Sequence, residues 1–156
     1  MPRILKLIIS IALPLVVGGL AGYATSSNIE GWYANLNKPS FNPPSYVFGP
    51  VWTLLYILMG ISLYIVWSKG IVEQRLKALL IFAGQLCLNF AWSFIFFYFH
   101  QPGWALLEII VLWIFILLMI RAFKPIDKLA AYLQIPYLLW VSFATILNGA
   151  IFYLNL

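Results

Sequence analysis

Residues 104–123 read WALLEIIVLWIFILLMIRAF, an apolar run whose only charge before Arg121 is Glu108. A helix needs about 20 such residues to cross roughly 30 Å of hydrocarbon, so this stretch can span a bilayer alone. Four similar runs accompany it, at about residues 4–25, 46–67, 77–99 and 129–154. Lipid offers the backbone no hydrogen bonds, and a helix satisfies its own. The expected fold is therefore an all-α integral membrane protein, a bundle of five transmembrane helices forming one domain over residues 1–156.

Charge placement orients the bundle. If the chain crosses with each run, Arg3, Lys6, Lys69, Arg75, Lys77, Arg121, Lys124 and Lys128 fall on one side and only Lys38 on the other. Cationic loops stay in the cytoplasm, which puts the N-terminus inside and the C-terminus outside. With 64% hydrophobic and 8% charged residues, the chain has too few polar side chains to coat a soluble globule. The net charge of +5 arises from short turns, so it reports topology and contact with anionic headgroups, not nucleic acid. One cysteine, Cys87, excludes an internal disulfide or a Cys-rich metal site.

The first run has two readings. Arg3 and Lys6 ahead of an apolar stretch that ends Gly22-Tyr23-Ala24 resemble a cleavable signal sequence. The run is long for that role, and Gly18 and Gly22 have the spacing of close helix packing, so it is read as helix 1. The only long connection, about residues 26–45, is dense in Asn and Pro yet carries Trp32, Tyr33, Leu36 and Phe41. Loops of this length are usually functional or disordered. Rings among prolines predict an ordered lid on the external face, with an interfacial aromatic belt as the alternative for Trp32 and Tyr33.

Three runs carry more than grease on one face. Gln85, Asn89, Trp92, Ser93 and Phe96 recur at spacings of three and four, as do Trp140, Ala144, Leu147 and Asn148, and Trp52, Tyr56, Met59 and Gly60. Lipid cannot satisfy the amides, so these faces look inward, either to glue helices or to line a cavity. Trp52 and Trp140 share stripes with polar or small residues, the make-up of an apolar pocket with a few orienting groups. Trp67 and Trp104 fit a headgroup belt. The lone histidine, His100, rules out triads, HExxH and bis-histidine haem. Glu108 is an intramembrane carboxylate, read either as functional or as interacting with the helix 4 dipole or water.

Taken in order, Trp32-Tyr33, Lys38-Pro39-Ser40-Phe41, Pro43-Pro44, Phe48-Gly49-Pro50-Val51-Trp52 and Leu55-Tyr56 resemble the translocator protein / tryptophan-rich sensory protein (TspO) family. Further matches are Leu88-Asn89, Ala91-Trp92, Gly103-Trp104-Ala105-Leu106, Pro136-Tyr137-Leu138, Trp140, Phe143-Ala144 and Leu147-Asn148. The resemblance covers nearly the whole chain. It implies a five-helix bundle, often a homodimer, that binds porphyrins such as protoporphyrin IX and benzodiazepine-type or isoquinoline carboxamide drugs in a pocket beneath the lid. By the matched motifs, the ligand-binding residues would be Tyr33, Pro43, Phe48, Trp52, Tyr56, Asn89, Trp92, Trp140, Ala144 and Leu147. The family's sterol-linked C-terminal pattern lacks its basic residue here, since no Lys or Arg follows Tyr153.

The resemblance leaves three roles open: capture or sensing of a tetrapyrrole, its light-dependent oxidative breakdown with Trp52 and Trp140 as candidate photochemical residues, and transport. It implies no tightly bound cofactor and no metal, with protoporphyrin IX as ligand or substrate. For self-association, Ala83, Cys87 and Ala91 form a small-residue row on helix 3, equally suited to packing within the bundle.

Overall fold

Five helices are long and apolar enough to cross a membrane: Arg3–Ile29, Ser45–Ser68, Val72–Tyr98, Pro102–Phe123 and Lys128–Leu154. They come from a computed structural model that describes residues 1–156 and contains no strand. The elements are α1 (Arg3–Ile29), α2 (Phe48–Ser68), α3 (Val72–Ser93), α4 (Pro102–Phe123), α5 (Lys128–Tyr132) and α6 (Ile135–Leu154). The protein is a multi-pass integral membrane protein. Its surface is inverted relative to a soluble domain, with Leu80, Leu139 and Ile146 each more than 60% exposed toward lipid.

Several boundaries lie beyond the apolar runs, for local reasons. The first helix continues past residue 25 because Thr25, Ser27 and Asn28 return side-chain bonds to the carbonyls of Ala21, Tyr23 and Ala24. Helix α3 begins at Val72, not near residue 77, and places Glu73 in its first turn where the helix dipole favours an anion. The last span is two helices, because Pro136 has no N–H for the carbonyl of Tyr132 and its ring crowds that turn. The break is stitched by Gln134, which is fully buried and donates from Nε2 to Ser62 Oγ (2.6 Å) and the Leu58 carbonyl (3.3 Å). Ser62 in turn donates to the Ala130 carbonyl (2.9 Å).

Helices α1 and α2 touch most closely in the half of the bundle away from the 26–45 connection. A Cβ on Gly60 would lie 2.6 Å from Ile11 Cα and 2.8 Å from the Ser10 carbonyl oxygen. Pro14 cannot bond that carbonyl, so the bare Gly60 backbone covers it instead. The main core lies among α2, α3, α4 and α6, where Met59, Phe82, Ile116, Phe123 and Val141 are buried.

The two ends of the bundle differ. At one end Lys69 pairs with Asp127, Lys6 lies 5.6 Å over the Trp67 ring and Gly70 packs on Ile126. The Lys69 hydrogen bond, followed by that of the Ala130 amide, holds the Asp127 carboxyl below the usual carboxylate range. At the other end lie the lid, His100 and the C-terminus of α6.

Candidate functional site

A cavity of about 450 Å³ opens in the half of the bundle nearer the lid, beneath the 26–45 connection. Helix α1 contributes Leu15, Gly18, Gly22 and Thr25; α2 contributes Phe48, Trp52 and Tyr56; α3 and its extension contribute Trp92, Ser93, Phe96 and Phe97. Helix α6 adds Trp140, Phe143, Ala144, Leu147 and Asn148, and Tyr33 closes the top. None of the lining residues is charged. Such a chamber suits a flat apolar ligand and offers few groups to fix its orientation.

The walls are held by ring contacts. Trp52 stacks on Tyr56 with centroids 5.6 Å apart and meets Tyr137 edge-on at 6.2 Å. Trp92 stacks on Phe96 at 5.2 Å, and its Nε1 donates to Asn148 Oδ1 (3.0 Å). Trp140 packs between Phe48 and Phe143. Ala144 lines the chamber beside it with only a methyl group. Phe96 and Phe97 both turn inward because residues Phe94–Tyr98 form a π-helical turn, in which the Phe99 N–H bonds the Phe94 carbonyl at 2.8 Å.

Eight of the ten expected binding residues line this cavity: Tyr33, Phe48, Trp52, Tyr56, Trp92, Trp140, Ala144 and Leu147. Two do not. Asn89 is buried below the floor, where its Oδ1 accepts from Tyr56 Oη (2.6 Å) and its Nδ2 donates to Tyr137 Oη (2.8 Å). Tyr137 passes the chain on to Gln85 Oε1 (2.8 Å), so both amides hold helices together instead of facing the chamber. Pro43 is half-buried in the lid but absent from the wall; its neighbour Asn42 does the work there by accepting from Tyr33 Oη (2.7 Å).

The lid is ordered by four devices. Lys38 Nζ donates to the carbonyls of Tyr33, Ala34 and Leu36 at 2.9 to 3.1 Å. Asn37 and Asn155 exchange hydrogen bonds of 2.9 and 2.8 Å, tying the lid to the end of α6. Trp32 stacks on His100 at 4.3 Å, and His100 Nε2 lies 3.0 Å from Asn28 Oδ1. Tyr33 is only 3% exposed, and burial pushes its phenol up to about 12 against the opposing hydrogen bond to Asn42. These contacts replace the interfacial-belt reading of Trp32 and Tyr33.

The contribution of α1 is larger than its sequence suggested. Gly18 and Gly22 do not bring two helix backbones together; Gly18 gives its space to the Tyr56 ring, and Gly22 faces open space. Their spacing was the visible signal, but it did not say what fills the gap. Phe97 and Phe143 also went unread as wall residues, and the π-helical turn that swings Phe97 inward has no clear mark in the sequence. Glu108 sits beyond the first turn of α4, where the pull of the helix dipole has faded, and both its carboxyl oxygens are buried without a partner from the protein.

Fold and site together define a class: a multi-pass helical membrane protein with an aromatic, charge-free chamber under a clamped extramembrane lid. The chain belongs to the TspO/MBR family, whose sequence profile matches residues 10–154. It is 45% identical over 154 residues to Tryptophan-rich protein TspO of Archaeoglobus fulgidus, spanning 98% of this chain and 99% of that one. It is 44% identical over 119 residues to the Translocator protein of Homo sapiens, covering 75% and 70% of the two chains. Tryptophan-rich sensory protein of Cereibacter sphaeroides matches at 40% over 126 residues, covering 81% and 78%.

Proposed function

We propose that this protein captures a flat tetrapyrrole of the protoporphyrin IX type in the chamber and promotes its light-dependent oxidation. The observation that carries the reading is a charge-free cavity of about 450 Å³ with Trp52, Trp92 and Trp140 in its walls. Aromatic walls favour a planar π-system, and a metal-free macrocycle needs no axial ligand. A bound porphyrin is a photosensitiser, with light supplying the energy and dioxygen the oxidant. Electron-rich Trp52 and Trp140 against its face would steer that oxidation to one product. The same chamber would take benzodiazepine-type and isoquinoline carboxamide drugs, which are also flat and weakly polar.

A second reading, non-catalytic sensing or carriage, rests on the lack of any acid, base or metal-binding cluster in the wall. Replacing Trp52 and Trp140 together by Phe separates the two. In darkness, quenching of the remaining tryptophans by protoporphyrin IX should still saturate, with affinity reduced no more than about tenfold, since Phe keeps most of the wall. Under illumination the directed product should disappear; an unchanged product at an unchanged rate would leave only the sensor or carrier. A homodimer through the Ala83, Cys87 and Ala91 row is part of the proposal, supported by the exposure of Ala83 and Cys87 on the lipid side of α3.

A further inference from the structure

The chamber reaches the protein surface along its side, not through its lid. Of residues 30–44, only Tyr33 lines the chamber, and it is buried. The exposed lining residues are Gly19, Gly22 and Ser26 on α1, with Gly49 and Thr53 at the start of α2 and Ser45 in the 3-10 turn (Ser45–Val47) just before it. Gly19, Gly22 and Ser26 share one face of α1, and Gly49 and Thr53 one face of α2, by their spacing of three or four. Further in, the same two helices close tightly, with Gly60 against Ser10 and Ile11 and with Gly18 under the Tyr56 ring.

The outer glycines are different. A Cβ at Gly19, Gly22 or Gly49 would meet nothing within 4 Å, so no neighbour requires glycine there. Glycine within a helix costs roughly 1 kcal/mol relative to alanine, and these positions gain no packing in return. What they leave is a slot between α1 and α2, edged by hydrogen atoms and opening onto the outer part of the apolar spans. The lid, by contrast, is held by Lys38, by the Asn37–Asn155 exchange and by the Tyr33–Asn42 bond. Those contacts would all have to break for a ligand to enter from above, whereas the slot is already open.

We propose that this slot is a side door, through which a flat apolar ligand passes edge-on between the outer leaflet and the chamber. Gly19, Gly22 and Gly49 set its width and so select thin ligands over bulky ones. The mouth carries the hydroxyls of Ser26, Ser45 and Thr53 and no cation, so a ligand's polar edge trails at the headgroup level while its apolar body leads. The inference rests on the chamber being the ligand site.

The test uses full-length protein in liposomes into which protoporphyrin IX has already partitioned, with stopped-flow tryptophan quenching as the readout. Gly22 and Gly49 are each replaced in turn by Ala, Leu and Phe. Association and dissociation should slow together and in order of side-chain size, by about tenfold or more at Leu. General destabilisation would not produce that grading. In a second arm, Asn37→Cys and Asn155→Cys in a Cys87→Ser background are bridged by a short bismaleimide, which seals the lid to α6. Association should then stay within about twofold of the unbridged protein. Leu and Phe variants that bind at the wild-type rate would overturn the side door, as would a bridged lid that stops entry. Wild-type protein that shows no saturable quenching would remove the binding reading itself, and the inference with it.

Discussion

Asn89 shows what one amide does inside a bilayer. It joins Tyr56, 33 residues earlier, to Tyr137, 48 residues later, and so ties α3 to both α2 and α6. Truncating it strands the buried Tyr56 phenol and takes away the donor that Tyr137 accepts from, leaving Tyr137 only its bond to Gln85. Asn89→Ala should therefore lower stability by about 2 kcal/mol, seen as a reduced thermal midpoint in detergent. The chamber should lose shape only indirectly, through the Tyr56 ring. That an amide had to face inward was legible from the sequence, because lipid cannot satisfy it. Its partner was not legible, because only the folded chain brings two distant phenols to the same point. Tyr33 makes a second prediction at this scale. Its phenol has a folded-state pKa of about 12, above the value near 10 of an unfolded tyrosine, so the neutral form is the one the fold prefers. Its contribution is complete below pH 10 and is lost as pH rises through 12. Lid loosening above pH 10, followed by hydrogen exchange of residues 32–42, should shrink in Tyr33→Phe, which cannot ionise.

Glycine has opposite meanings along α1 and α2, and substitution separates them. At Gly60 the obstacle to a Cβ is backbone, Ile11 Cα at 2.6 Å, which cannot swing aside. Gly60→Ala should push the two helices apart at their inner crossing and cost roughly 1–3 kcal/mol. Gly19→Ala meets nothing within 4 Å and should match or slightly exceed wild-type stability through its better helix propensity. Thermal melts of the two variants in one detergent make the comparison, and equal midpoints would contradict the crossing geometry. The limits of sequence reading at this scale have the same origin. Five apolar runs announce five spans, because crossing length is a property of each run alone. Where a span bends depends on what can absorb the bend. Residues 129–154 read as one helix although Pro136 sits inside them, and the buried Gln134, Ser62 and Ala130 contacts that make the break before α6 tolerable are brought together only by the fold. The turn at Phe94–Tyr98 leaves no mark in the sequence, so Phe97 goes unread, while Phe96, at regular helical spacing, falls on the inward face of the third run.

Across the whole molecule, charge is distributed as orientation demands. Eight of the nine Lys and Arg residues lie at the end where Lys69 meets Asp127, and the single exception, Lys38, spends its charge on lid carbonyls. Cations near span ends resist translocation, so the cation-rich end should stay in the cytoplasm and the chamber should open in the outer half. Two exposed positions report this without touching either the lid clamp or the chamber: Glu30 at the outer end of α1 and Lys124 at the inner end of α4. In a Cys87→Ser background, a membrane-impermeant maleimide applied to intact cells should label Glu30→Cys and spare Lys124→Cys. Inverted vesicles should reverse the pattern. Labelling of Lys124→Cys from outside would turn the bundle over and place the chamber and its slot in the cytoplasmic leaflet. Ligand dissolved in the outer leaflet would then have to cross to the inner one before it could enter. Orientation therefore decides which pool of ligand the proposed side door would draw on, and this charge asymmetry predicts the outer one.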